Sequence, residues 1–89
     1  MQIIETELFT KQRDDIVFYI AKDKKSAAIY FEKELKKAVN NLTNFPYKFR
    51  QSYYYQDENI RDMTFSGYSI IYRINIADEV IEILEIFES

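Results

Sequence analysis

The chain has no cysteine, no histidine and no tryptophan, and only one glycine and one proline. Without cysteine there is no disulfide framework and no thiolate metal site. Without histidine the commonest general base and metal ligand is gone. No spaced set of carboxylates replaces it, so a metal hydrolase is excluded and no metal is expected. A single glycine cannot build a phosphate-cradling loop. No nucleophile constellation of a small-molecule enzyme is visible, and no cofactor is expected. No apolar run approaches the roughly 18 residues of a membrane span, and the N-terminus carries no signal-peptide pattern. A cytoplasmic protein with no membrane contact is therefore expected.

What is present is apolar and aromatic: 47% hydrophobic and 17% aromatic in 89 residues, enough for one small domain over residues 1–89. The net charge of −3 hides a split. Residues 1–50 hold ten Lys or Arg against seven Asp or Glu, a balance of +3, and residues 51–89 hold two against eight, a balance of −6. An acidic total argues against strong phosphate binding by the domain as a whole.

Residues 60–87 organise the chain. Ser66-Gly67 is a turn signal between apolar runs. After it, Tyr68, Ile70, Tyr72, Ile74 and Ile76 alternate with Ser69, Ile71, Arg73 and Asn75, the two faces of a strand. Ala77-Asp78-Glu79 is the next turn, and Val80 to Phe87 reads as a central strand. A strict two-residue turn at Ser66-Gly67 pairs Phe65 with Tyr68, Met63 with Ile70 and Arg61 with Tyr72. Arg61 then lies at the edge of the core, unless a bulge between Ile60 and Met63 turns it outward. Its non-functional role is a half-buried pair with a carboxylate such as Asp62 or Asp57.

Upstream, residues 2–6 form a short candidate edge strand. Leu8 to Lys22 reads as a helix with Phe9, Gln12, Ile16, Tyr19 and Ile20 at helical spacing, and Asp14 and Asp15 on its solvated face. After a polar connection at residues 23–26, Ser26 or Asp23 would cap a second helix. Its stripe is Ala28, Phe31, Leu35, Ala38, Leu42 and Phe45, with Lys33, Lys36 and Lys37 pointing outward. Pro46 ends it. The basic, aromatic stretch from Tyr47 to Gln56 reads as a strand whose tyrosines flank the sheet. The alternative is a nucleic-acid contact, with Lys48 and Arg50 on phosphates and tyrosines stacked on bases. The order β-α-α-β-β-β predicts an α+β fold, an N-terminal helical hairpin on a twisted antiparallel sheet of three to five strands. Tyr72 and Phe31 should be among its most buried residues.

This ordered set resembles the RelE/ParE superfamily of bacterial toxins. The resemblance runs over nearly the whole chain. It is carried by Asp15-Ile16, Tyr19-Ile20-Ala21, Ala27, Phe31, Leu35, Leu42, Phe45-Pro46, Arg50, Ile60-Arg61-Asp62-Met63, Gly67 to Ile74, and Val80 to Phe87. It implies a toxin paired with a labile antitoxin. RelE-like members cut messenger RNA in the ribosome, and ParE-like members poison DNA gyrase. RNA cleavage needs a proton acceptor, cations for the phosphorane and an acid for the leaving oxygen. The arginine that usually follows Gly-Tyr is Ser69 here, the basic positions beyond the last strand fall at Glu88 and Ser89, and no tyrosine follows position 72. The resemblance is thus closer to ParE. The catalytic candidates that remain are Arg61 and Arg73, and a contact with gyrase, ribosome or nucleic acid would use Lys48, Arg50, Arg61 and Arg73. An acidic antitoxin tail would be drawn to Lys33, Lys36 and Lys37, on the outer face of the hairpin and the sheet edge beside it. The readings kept open are a RelE-like nuclease and a degenerate, non-toxic interaction domain of the same fold.

Overall fold

The structure is a computed structural model describing residues 1–89. Strand β1 (Gln2–Glu5) is followed by helix α1 (Glu7–Asp23) and helix α2 (Lys25–Asn40), which runs on into a 3-10 turn at Asn41–Thr43. Strands β2 (Arg50–Gln51), β3 (Ile60–Phe65), β4 (Tyr68–Asn75) and β5 (Val80–Glu88) follow. One five-stranded sheet has the order β1-β5-β4-β3-β2. The two helices pack on one of its faces, so the expected α+β hairpin-on-sheet architecture is present.

The β3–β4 hairpin forms in the register its turn dictates: Phe65 faces Tyr68, Met63 faces Ile70 and Arg61 faces Tyr72. Ser66 and Gly67 both have positive φ (52° and 86°), the backbone that a two-residue turn between right-twisted strands requires. A Cβ on Gly67 would meet nothing within 4 Å, so glycine serves the backbone there and not the packing. No bulge interrupts β3, and Arg61 stays on the core side. A bulge does occur between β4 and β5, where Ile71 and Tyr72 pair with Glu85 and Ile83 and leave Leu84 over.

The sheet is mixed, not wholly antiparallel: β1 runs parallel to β5, from Gln2 beside Val80 to Glu5 beside Ile83. Short turns force antiparallel neighbours only between consecutive strands. Nearly the whole chain separates β1 from β5, and the helical hairpin returns it in either sense. Thr6 locks this junction. Its hydroxyl lies 2.9 Å from the Ile83 carbonyl and 3.1 Å from that of Leu84, at the bulge. The same oxygen accepts the Phe9 backbone N–H and so caps α1. Thr6→Ala is expected to cost about 1–2 kcal/mol, with Thr6→Ser recovering most of it. Urea unfolding of the two variants checks this.

Other expectations are corrected. Neither Ser26 nor Asp23 caps α2; Lys24 alone joins the helices and caps α2 without a side-chain bond. A one-residue link leaves no room for the expected polar connection. Tyr19 and Phe45, placed inward by their spacing, are 74% and 64% exposed. In α1 the neighbouring Ile20 packs against the core in place of Tyr19, and Phe45 lies past the end of α2 at Asn40 and of the 3-10 turn at Thr43, so helical spacing no longer sets its direction. Val39 takes the core position in place of the half-buried Ala38. Ile76 falls in the β4–β5 turn and is exposed.

The core between helices and sheet holds Phe9, Phe31, Leu35, Val39, Leu42, Met63, Ile70, Tyr72, Ile74, Ile81, Ile83 and Ile86. Phe31 stands edge-on to Phe65 and Tyr68 at 5.6 and 5.5 Å. The second face of the sheet is covered too. Tyr47 to Gln56 is not a strand beyond Arg50–Gln51; residues 52–59 form a strap across that face. The Tyr54 ring meets Phe87, the Tyr55 hydroxyl donates to Glu85 at 2.6 Å, and the Tyr53 N–H donates to Asp62 at 3.0 Å. Beneath the strap Ile71 is fully buried, and Ser69 and Asp62 nearly so.

Candidate functional site

The candidate cations are not gathered into one centre. Arg61 projects on the core side of β3, where Nε donates to the Glu58 carbonyl at 2.9 Å and Nη1 to the Phe49 carbonyl at 3.1 Å. Its guanidinium lies 4.9 Å from the Tyr47 ring centroid. The expected carboxylate pair at Arg61 is absent: Asp62, the adjacent residue, points to the other face. Asp62 pairs instead with Arg50, its cross-strand neighbour, at 3.3 Å. Arg73 also lies on the outer face, held by Glu82 at 2.7 Å, the cross-strand glutamate its alternation implies. Lys48 is exposed, with Nζ 5.5 Å from the Phe49 ring.

Arg61 and Arg73 therefore stand on opposite faces of the sheet and cannot flank one phosphate. Tyr72 is pushed up to about 12 by burial, with Asp62 adding to the rise while Arg61 and the Phe49 backbone oppose it. Its hydroxyl donates to the Pro46 carbonyl at 2.6 Å. A fully buried phenol that clings to its proton closes the core and does not exchange protons with a substrate.

Arg50 has a structural use that the sequence did not disclose. Its guanidinium stacks 3.7 Å from the Tyr53 ring centroid while binding the buried Asp62. Asp62 accepts from Arg50 and from the Tyr53 N–H through one oxygen, and its other oxygen is buried without a partner. Removing Arg50 leaves a desolvated carboxylate with a single donor. Because the guanidinium is 44% exposed, Arg50→Ala is expected to cost only about 1–2 kcal/mol, not the full penalty of a broken buried pair. Double-mutant unfolding with Asp62→Ala checks this, since the cost should shrink once the carboxylate is gone.

The lysines of α2 divide. Lys33 and Lys36 line a groove of about 450 Å³ between α2 and the edge strand β1, with Ile29, Leu35 and Val39 as its apolar floor. Arg13, Glu5 and Glu32 complete its rim. Arg13, which the sequence did not single out, bridges to Glu5 at 2.9 Å and to Asp14 at 3.3 Å. Lys33 and Lys36 make no ion pair. Lys37 lies on the other side of α2, 3.7 Å from Glu34, in a depression shared with Asn40 and Asn44.

No helix is long and apolar enough to cross a membrane. No curated protein matches the chain. A solved structure of the chromosomal ParDE toxin–antitoxin system from P. aeruginosa has the same fold. Its TM-score is 0.77 at 18% identity, over 99% of this chain and 95% of that one. The family described as ParE toxin of the type II toxin–antitoxin system, parDE, matches residues 3–89. A match over nearly every residue, on a hairpin-and-sheet fold shared with a ParDE structure, places the chain in the ParE toxin family of type II toxin–antitoxin systems.

Proposed function

We propose that this toxin disables its target by binding, with DNA gyrase as that target, and that an acidic antitoxin segment neutralises it in the cytoplasm. The observation that carries the binding reading is the placement of Arg61 and Arg73. They lie on opposite faces of the sheet, and each is spent on a partner within the chain. Ser69 is buried against the Ser89 hydroxyl at 2.7 Å, where a nuclease of the superfamily would present an arginine. Neither place offers a free cation for a phosphorane. The unpaired Lys33 and Lys36 above an apolar floor supply attraction and anchorage for an acidic, apolar segment.

Induced expression in a bacterial host tests the reading. Growth should stop with a DNA-damage response while translation continues, and co-expression of the antitoxin should restore growth. Ribosome-positioned cleavage of messenger RNA would overturn the binding mechanism, and unimpaired growth would show a degenerate domain. Arg61→Ala and Arg73→Ala should change toxicity only as far as they change stability, read from soluble yield and melting.

A further inference from the structure

We infer that the groove between α1 and the C-terminal end of β5 is the surface that meets the target, and that it takes an arginine-bearing, partly apolar segment of the target protein. This rests on the reading of the chain as a toxin that disables gyrase by binding. It specifies which part of that enzyme is met: its protein surface and not the DNA it holds.

The groove holds about 370 Å³ and shares no lining residue with the one beside β1. Gln12, Ile16 and Tyr19 follow one another on α1 at spacings of four and three, so they share one flank of the helix. Arg13, which lines the groove beside β1, stands on another flank. The Gln12 side chain accepts the Ile86 N–H at 2.8 Å and fixes α1 against β5 at this point. The far wall is Tyr68 and Phe87. Both rings are held in place, Tyr68 edge-on to Phe31 at 5.5 Å and Phe87 edge-on to Tyr54 at 5.3 Å. Tyr19, by contrast, is 74% exposed. The core leaves this ring in water, and aromatic rings of that kind are what interface centres are enriched in.

The rim selects the occupant. Asp15 and Glu88 border the groove. Asp15 has only Lys11 beside it, at 3.4 Å with both side chains exposed, a pair worth little in water. Glu88 is exposed and makes no ion pair. Residues 51–89 around it carry a balance of −6, and both arginines among them are engaged, Arg61 on backbone carbonyls and Arg73 on Glu82. Such a surface repels the phosphates of DNA and an acidic antitoxin segment alike. It attracts a cation, and arginine fits it best. A guanidinium can lie on the face of the Tyr19 or Phe87 ring and still give two N–H groups to one carboxylate, which an ammonium cannot. An apolar neighbour of that arginine would cover Ile16 and Tyr68. The two grooves thus sort two partners by sign, the basic one for the antitoxin and the acidic one for the target. Only α1, about 10 Å across, separates them, so an antitoxin seated beside β1 stands in the path of a large target enzyme.

The probes are purified DNA gyrase and the cognate antitoxin, each titrated against the full-length protein. Tyr19→Ala removes the exposed ring, and the pair Asp15→Lys, Glu88→Lys reverses the rim. All three positions are exposed, so the variants should fold, and their binding to the antitoxin shows that they have. Both variants should bind gyrase at least about tenfold more weakly than wild type, the usual effect of removing a central aromatic or opposing a charge at an interface. Both should bind the antitoxin within a few-fold of wild type. The pair Lys33→Glu, Lys36→Glu should do the opposite, weakening the antitoxin and leaving gyrase within a few-fold. Groove variants that bind gyrase as wild type does would overturn this assignment and leave the gyrase reading intact. Variants of either groove that weaken both partners equally would overturn the separation of the two surfaces, and the assignment with it. A wild-type protein that does not bind gyrase would overturn both the assignment and the reading it rests on.

Discussion

Tyr72→Ala is expected to remove about 3–5 kcal/mol of stability, the usual loss for a large buried aromatic. A small domain holds roughly 5–15 kcal/mol in all, so the variant should be largely unfolded or melt far below wild type. Tyr72 has no solvent exposure and sits between the hairpin and the sheet. Its hydroxyl also ties the Pro46 carbonyl, at the end of the helical hairpin, to the middle of β4. Tyr72→Phe keeps the ring and should cost only about 1–2 kcal/mol, the price of one buried acceptor left unpaired. Thermal and urea unfolding of the three proteins would show this order. A Tyr72→Ala protein melting within a few degrees of wild type would refute the packing.

The same hydroxyl gives the protein an alkaline weakness. Burial raises the Tyr72 pKa to about 12, so the folded state holds the phenol proton more tightly than the unfolded chain, whose value is about 10. The contribution is full below pH 10 and is lost as the pH rises from 10 towards 12. It amounts to roughly 2–3 kcal/mol across that window. Tyr72→Phe cannot lose it. Wild type should be the more stable protein at pH 8, and its advantage should vanish or reverse by about pH 11–12. Unfolding curves for the pair against pH subtract the lysines and other tyrosines that titrate in the same range.

The meander was the most legible part of the chain because its signals are local. One turn dipeptide and one period of two set the β3–β4 register, and with it the inward side of Arg61. The hairpin was legible for a like reason: the stripe through Phe31, Leu35 and Leu42 has only one way to face a sheet. Two features depended on distant partners and were not legible. The direction of β1 is decided by where the hairpin returns the chain, and no neighbouring turn constrains it. The strap was hidden because consecutive tyrosines read as strand, and nothing nearby announces that Tyr54 and Tyr55 cross to Phe87 and Glu85. Ile71 was an indirect sign: an isoleucine on the strand face turned away from the helices is better covered than left in water. The site divides in the same way. Arg73 found its glutamate through the strand alternation, whereas Arg50 found Asp62 only through a two-residue strand that its sequence does not mark. Charge located the basic face on α2, but only the packing of α2 beside β1 separates Lys33 and Lys36 from Lys37.

That separation sharpens the expected effect of reversing the lysines. Changing Lys33, Lys36 and Lys37 to glutamate shifts the charge of α2 by six units and should slow antitoxin association at least about tenfold at low salt, because charge steers encounter across a Debye length. Dissociation should change much less, since the apolar floor of Ile29, Leu35 and Val39 is untouched. The geometry assigns most of the effect to two positions. Lys33 and Lys36 face the groove unpaired, while Lys37 is half-neutralised by Glu34 on the far side of the helix. The Lys33→Glu, Lys36→Glu pair should therefore reproduce most of the slowing, and Lys37→Glu alone little of it. Raising the salt should bring the variants and wild type together, because screening removes what the reversal removed. Stopped-flow association at two ionic strengths measures all three. If Lys37→Glu slows binding as much as the pair, the antitoxin approaches over the whole hairpin and the groove beside β1 is not its entrance. If no reversal slows it at low salt, the split between a basic hairpin and an acidic meander is a solvated surface without a role in recognition.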